Sequence, residues 1–123
     1  MTDEEILEGN KLIAEFIGWK EYQDSLNSNK GRIVMEFPGK KSVFLDMMKY
    51  HSSWDWLMPV VEKIEKNGAI VEMWGSLGWN CRIWVMENGE KKVNLLDGDK
   101  ETLIEAAFPV VVEFIKWYNQ NGK

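Results

Sequence analysis

Three observations on this 123-residue chain point to an α+β fold: a mainly antiparallel sheet of about five strands with helices packed on it. Apolar residues recur at helical spacing in three separate stretches. Between those stretches lie short alternating segments with the turn signals Pro38-Gly39, the Ser76-Leu77-Gly78 loop and Asn88-Gly89. The resulting order is helix, two strands, helix, three strands, helix, which suits short hairpins better than parallel crossovers. Helices on both faces of the sheet would make an alpha/beta/alpha sandwich, and the length is that of a single domain spanning 1–123.

The first helix is expected from Thr2. Thr2 and Glu5 have capping-box spacing, and Asp3 and Glu4 put negative charge at the favourable dipole end. Ile6, Ile13 and Ile17 form its apolar stripe, and Gly18 stops it. Residues 19–31 then read as a loop carrying Trp19 and Tyr22. RIVMEF (32–37) and SVFL (42–45) read as strands joined through Pro38-Gly39, a type II turn centre.

The second helix is expected to start at Ser53 and to run to about Lys66, with Asn67-Gly68 as its stop. Trp54, Leu57, Val61 and Ile64 share its core face, and Pro59 removes one backbone hydrogen bond and predicts a local kink. AIVEMW (69–74), WNCRIWVMEN (79–88) and KKVNLL (91–96) read as three strands. The last helix is expected over about Thr102–Tyr118, again with capping-box spacing, Thr102 to Glu105. It is apolar on two adjoining stripes, Leu103, Ala107, Val110, Phe114 and Trp117 beside Ile104, Val111, Ile115 and Tyr118.

Composition excludes several functions. Fifteen Lys and Arg against twenty Asp and Glu leave a formal charge of −5. General nucleic-acid binding needs a basic footprint and is not expected. No window approaches the ~20 apolar residues of a membrane span. The single Cys81 permits no internal disulfide and suits a reducing cytoplasm. Seven tryptophans in so short a chain are unusual, and large aromatics serve recognition surfaces as well as cores.

Two constellations are candidates for function. In YHSSWDW (50–56) the lone His51 precedes two serines and Asp55. A hydrolase would use Ser52 or Ser53 with His51 as base, and Asp55 and Asp46 would be further acid/base or metal candidates. Adjacent residues rarely converge as nucleophile, base and orienter, and no GxSxG elbow is present. A helix start with a polar rim accounts for the same residues. The second constellation is on the strands. Arg82 and Trp84 alternate with Cys81, Ile83 and Val85, and with Trp74 and Trp79 nearby they would make an aromatic floor bearing one cation, suited to a small anionic ligand. The competing reading has a helix covering that face, with Arg82 reaching its edge. Cys81 itself reads as buried packing. PGKK lacks the arrangement of a phosphate loop and GSLG lacks the dinucleotide-binding context, so no cofactor is expected, and the histidine and cysteine count gives no metal site.

Three segments, NKLIAEFIGWK (10–20), YHSSWDWLMPVVEKIE (50–65) and AFPVVVEFIKWYNQ (107–120), resemble a group of small uncharacterised proteins of Bacteroides-type bacteria and their phages. They are more loosely similar to the phage ABA-sandwich domain group. The resemblance covers about a third of the chain and implies a layered alpha/beta/alpha arrangement and a phage or mobile-element setting. It supplies no catalytic motif.

The expected function is that of a non-enzymatic binding or accessory protein in the cytoplasm. The alternatives are a small hydrolase or nucleotide-processing enzyme, and a structural or assembly protein. Self-association through the last helix (Val111, Ile115, Tyr118) is a further expectation, because so broad an apolar surface exceeds one narrow groove.

Overall fold

The structure, a computed structural model, describes residues 1–22, 31–39 and 41–121, with the side chains of Lys91 and Lys92 outside the description. The chain divides into two compact units, Met1–Lys49 and Tyr50–Lys123. The α+β class is correct. Among the described residues, however, the strands form two three-stranded antiparallel sheets and not one sheet of about five.

In the first unit, α1 (Asp3–Ile17) opens on the expected capping box, with the Thr2 hydroxyl accepting from the Glu5 amide at 3.1 Å. Gly18 ends it at φ +123°, a conformation that disfavours any side chain. Here the expected loop is shorter than the sequence suggests. Lys20–Glu21 form β1, which pairs antiparallel with β2 (Val34–Phe37), Lys20 opposite Glu36. β3 (Lys41–Phe44) completes the sheet with Val34 opposite Phe44. Gly39 in the intervening turn has φ +74°, the sign that the third position of a type II turn requires. Leu45, expected in the strand, enters a 3-10 turn over Leu45–Met47. The remainder of the expected loop, residues 23–30, lies outside the described residues. Buried Asn10 on α1 donates to the Met48 carbonyl at 3.3 Å and ties the helix to the end of this unit.

The second unit begins with α2 (Trp54–Lys66), and Ser53 does occupy its N-cap position. The Ser53 side chain makes no capping hydrogen bond, so Asp55 in the first turn supplies the favourable interaction with the helix end. Pro59 lies inside the helix, and Leu57, Val60, Val61 and Ile64 are its buried residues. β4 (Ala69–Gly75), β5 (Trp79–Glu87) and β6 (Glu90–Lys100) then form a meander in that order. Asn88 and Gly89 take φ of +55° and +82°, the paired positive values of a type I′ hairpin. β6 runs further than the expected KKVNLL because two register shifts, between Trp79 and Cys81 and between Val85 and Met86, let it follow the whole of β5.

α3 (Leu103–Asn121) closes the unit. The Thr102 hydroxyl accepts from the Glu105 amide at 3.3 Å, as an N-cap does, and donates to the Glu105 carboxylate at 2.7 Å. α3 packs on β5 and β6 and touches α2, while α2 packs on β4. Both of its stripes are used inside the chain at mid-helix: Val111 and Ile115 are each 0% exposed and Val110 and Phe114 nearly so, while Trp117 and Tyr118 towards its end are half-buried. Of the three residues expected at a dimer contact, Val111 and Ile115 are therefore not available to a second subunit, and Tyr118 alone is partly exposed.

Candidate functional site

Alternation along β5 divides its residues between two environments. Cys81 and Ile83 are fully buried, with Val71 opposite Ile83 and Met73 opposite Cys81 on β4 and Leu95 opposite Ile83 on β6. The Cys81 thiol, in this apolar layer with Asp97 nearby, is pushed up to about 12, so it is inert packing and not a nucleophile.

The other side of the sheet carries Ile70, Glu72 and Trp74 from β4, Asn80, Arg82, Trp84 and Met86 from β5, and Asn94 and Leu96 from β6. It is not closed over. Leu96 is 62% exposed, Ile70 43% and Met86 42%, while Trp74, Arg82 and Trp84 are half-buried. Arg82 and Trp84 thus share one face with Trp74, as alternation implies. The Arg82 guanidinium stands 5.5 Å from the Trp74 ring centre, within cation–π range. Trp79 is on the opposite alternation, where its ring packs on Gly75, and it does not join the other three.

Glu72, not singled out in the sequence, organises this face. Its carboxylate accepts the Trp84 indole N–H at 2.8 Å and lies 3.5 Å from Arg82 Nε. The Arg82 Nε is buried without a hydrogen bond, so the pair is held by charge alone. An anion approaching Arg82 would meet the Glu72 charge as well.

The end of the face nearest the β4–β5 turn is also built from side-chain contacts. The Asn80 amide nitrogen donates to the carbonyls of Gly78 at 3.1 Å, Ser76 at 3.3 Å and Trp74 at 3.4 Å. The Ser76 amide donates to the Gly78 carbonyl at 2.8 Å. Gly98 of β6 is required beneath Asn80, because a Cβ there would collide with the Asn80 side-chain oxygen. At the tip of this pinned loop, Leu77 is 95% exposed with φ +54°. The signal for it was present in GSLG as an apolar residue inside a turn.

The hydrolase candidates have other surroundings. The His51 ring meets Phe108 edge-on with centroids 6.0 Å apart, and burial lowers its pKa below the usual 6.5. Asp55 is exposed on the first turn of α2. Asp46 belongs to the first unit, where Arg32 grips both of its oxygens at 2.8 and 2.6 Å while lying 3.7 Å over the Phe44 ring. That grip holds the Asp46 carboxyl below the usual carboxylate range, which suits an ion pair and not a proton donor. Among the described residues, no group of three or more His, Cys, Asp or Glu could hold a metal ion. No described helix is long and apolar enough to cross a membrane.

Among the described residues of the second unit, α3 borders two recesses. One, of about 290 Å³, is lined by Asn67, Val85, Met86, Glu87, Phe114, Trp117 and Tyr118. The other, of about 150 Å³, lies among Leu95, Leu96, Asp97, Pro109, Val110 and Glu113. Neither is lined by Trp74, Trp79, Arg82 or Trp84. No family model, curated protein or solved structure matches the chain.

Proposed function

We propose that the protein is a non-enzymatic binding protein, and that its contact surface is the open face of the second sheet, formed by Ile70, Trp74, Arg82, Trp84, Met86 and Leu96. The observation that carries this reading is the bracing of that face by Glu72, which holds the Trp84 indole and neutralises Arg82 at once. A flat surface combining tryptophan, arginine and exposed aliphatic side chains has the composition of a protein-contact hot spot. It suits a protein partner better than the small anionic ligand that Arg82 alone would suggest. Glu72 compensates the one cation, and a net charge of −5 disfavours anions generally.

The setting follows the resemblance: an accessory protein of a phage or mobile element. The cytoplasm is the proposed location, where a lone buried thiol remains reduced. Self-association in this reading would use the sheet face and not α3.

The test is photo-crosslinking from a reactive amino acid at position 96 in the native host, with position 62 on the exposed side of α2 as control. A protein adduct formed from position 96 alone, then reconstituted from purified components and weakened by Leu96→Asp and Ile70→Asp, is the expected result. A hydrolysis screen with and without divalent ions runs beside it. Turnover abolished by His51→Ala or Asp55→Ala would replace the binding reading with the enzymatic one.

A further inference from the structure

Leu77 combines three properties that rarely coincide. It is 95% exposed, the most solvated large apolar side chain described. Its φ of +54° is in the left-handed region, which a branched aliphatic residue adopts only at a cost that glycine or asparagine would avoid. The loop that presents it is also not slack. Asn80 ties the carbonyls on both sides of Leu77, those of Ser76 and Gly78, and Ser76 closes the loop onto Gly78. A residue that neither packs nor relaxes its own backbone contributes nothing to this fold that a polar residue would not.

We infer that Leu77 is an anchor residue that inserts into an apolar pocket on a protein partner, and that the rim of that pocket is basic. The inference rests on the proposed protein-contact role of the open sheet face, at whose end the loop stands. The pinned loop fixes the backbone that carries the side chain before contact, which removes the backbone ordering cost that a mobile loop would carry.

The charge of the partner follows from what surrounds the finger. A Cβ on Gly78 would lie 3.0 Å from Asp99 Cα, so Asp99 is immediately beside the loop. Asp99 has φ +59° at the β6 bulge, and its side chain is exposed. Lys100 is engaged with Asp97 at 3.8 Å, and the exposed Glu101 follows it. The collar is therefore acidic, and a basic rim complements it. An anionic lipid surface or a nucleic acid would be repelled. A second copy of the chain is also a poor host. Both recesses described above offer apolar walls, but neither is lined by a lysine or arginine that could form the basic rim, and Glu87 lines one while Asp97 and Glu113 line the other.

The experiment uses the full chain with a photo-crosslinking residue at position 77 in the native host, and then the purified partner. The expected result is an adduct with one protein whose reconstituted affinity falls about thirtyfold on Leu77→Asn, is kept by Leu77→Met, and falls on Asp99→Lys. Leu77→Asn keeps the fold because asparagine accepts the left-handed conformation. Four results overturn the anchor: no adduct from position 77, an adduct between two copies, flotation of the purified protein with phosphatidylcholine or phosphatidylglycerol vesicles that Leu77→Asn abolishes, or unchanged affinity of Leu77→Asn. An adduct from position 96 with none from position 77 removes the anchor and leaves the sheet-face reading standing. Absence of adducts from both positions removes the two together.

Discussion

Glu72 and Trp84 are diagonal neighbours across the β4–β5 ladder, and the Glu72 carboxylate accepts the Trp84 indole N–H at 2.8 Å. The cross-strand partner of Glu72 is Arg82, so a single carboxylate serves both the cation and the indole. Glu72→Ala should cost about 1 kcal/mol, at the low end of the range for hydrogen-bonded pairs because the carboxylate is partly solvated. Urea unfolding followed by tryptophan emission would measure it, with Trp84→Phe as the partner variant in a double-mutant cycle. Additive effects of the two substitutions would show that the contact does not brace the face.

Burial of the middle of α3, from Ala106 to Ile115 on its apolar side, changes what a charge there should do. Ile115→Glu places a carboxylate where the native side chain is 0% exposed. The expected loss is about 3 kcal/mol or more, with partial or complete unfolding. Circular dichroism and light scattering would separate this from dissociation of a dimer, which would keep the helical signal while halving the mass. Leu57→Ala, at another fully buried site, should cost about 2–5 kcal/mol through lost packing and the cavity left behind.

Relief of the backbone at Leu77 should be measurable without any partner. Asparagine at φ +54° is better tolerated than leucine, and the leucine side chain has no packing to lose. Leu77→Asn should raise stability by up to about 1 kcal/mol in denaturant unfolding. A loss of more than that amount would mean that Leu77 packs on the fold in solution.

His51 predicts a direction of pH dependence. Burial against Phe108 lowers its folded pKa below 6.5, so the unfolded chain binds the proton more readily. Its contribution is present above pH 6.5 and is lost as the pH falls below that value through the folded pKa. The acid limb of a stability profile should therefore be shallower in His51→Gln than in the native protein. Identical limbs between pH 7 and 5 would place His51 in solvent, with those limits bracketing its usual titration range at about 6.5.

Local features were legible in the sequence because they depend on neighbours a few residues away. The Thr2 capping box, the Thr102 cap, the Gly18 stop and the Asn88-Gly89 hairpin are set by short hydrogen bonds and by backbone sterics. Period-two alternation likewise separated Cys81 and Ile83 from Arg82 and Trp84. Trp79 is close to the latter group in sequence, but its odd-numbered register puts it on the Cys81 alternation.

The pairing of strands needed the tertiary structure. Alternation says which residues share a face, but not which strands hydrogen-bond, and so one five-stranded sheet and two three-stranded sheets look alike in the sequence. A two-residue strand such as Lys20–Glu21 has too little pattern to stand out, and its existence depends on Glu36 and Met35 being opposite it. The breadth of α3 is likewise visible as two apolar stripes, but only packing decides that the middle of both is covered within the chain, because hydrophobicity is non-directional and does not name its partner. Composition and periodicity thus determined the α+β class, the helices and the two alternating faces of β5. Long-range contacts decided the two sheets, the role of Glu72 as the brace, and the solvent exposure of Leu77 on a loop held by Asn80.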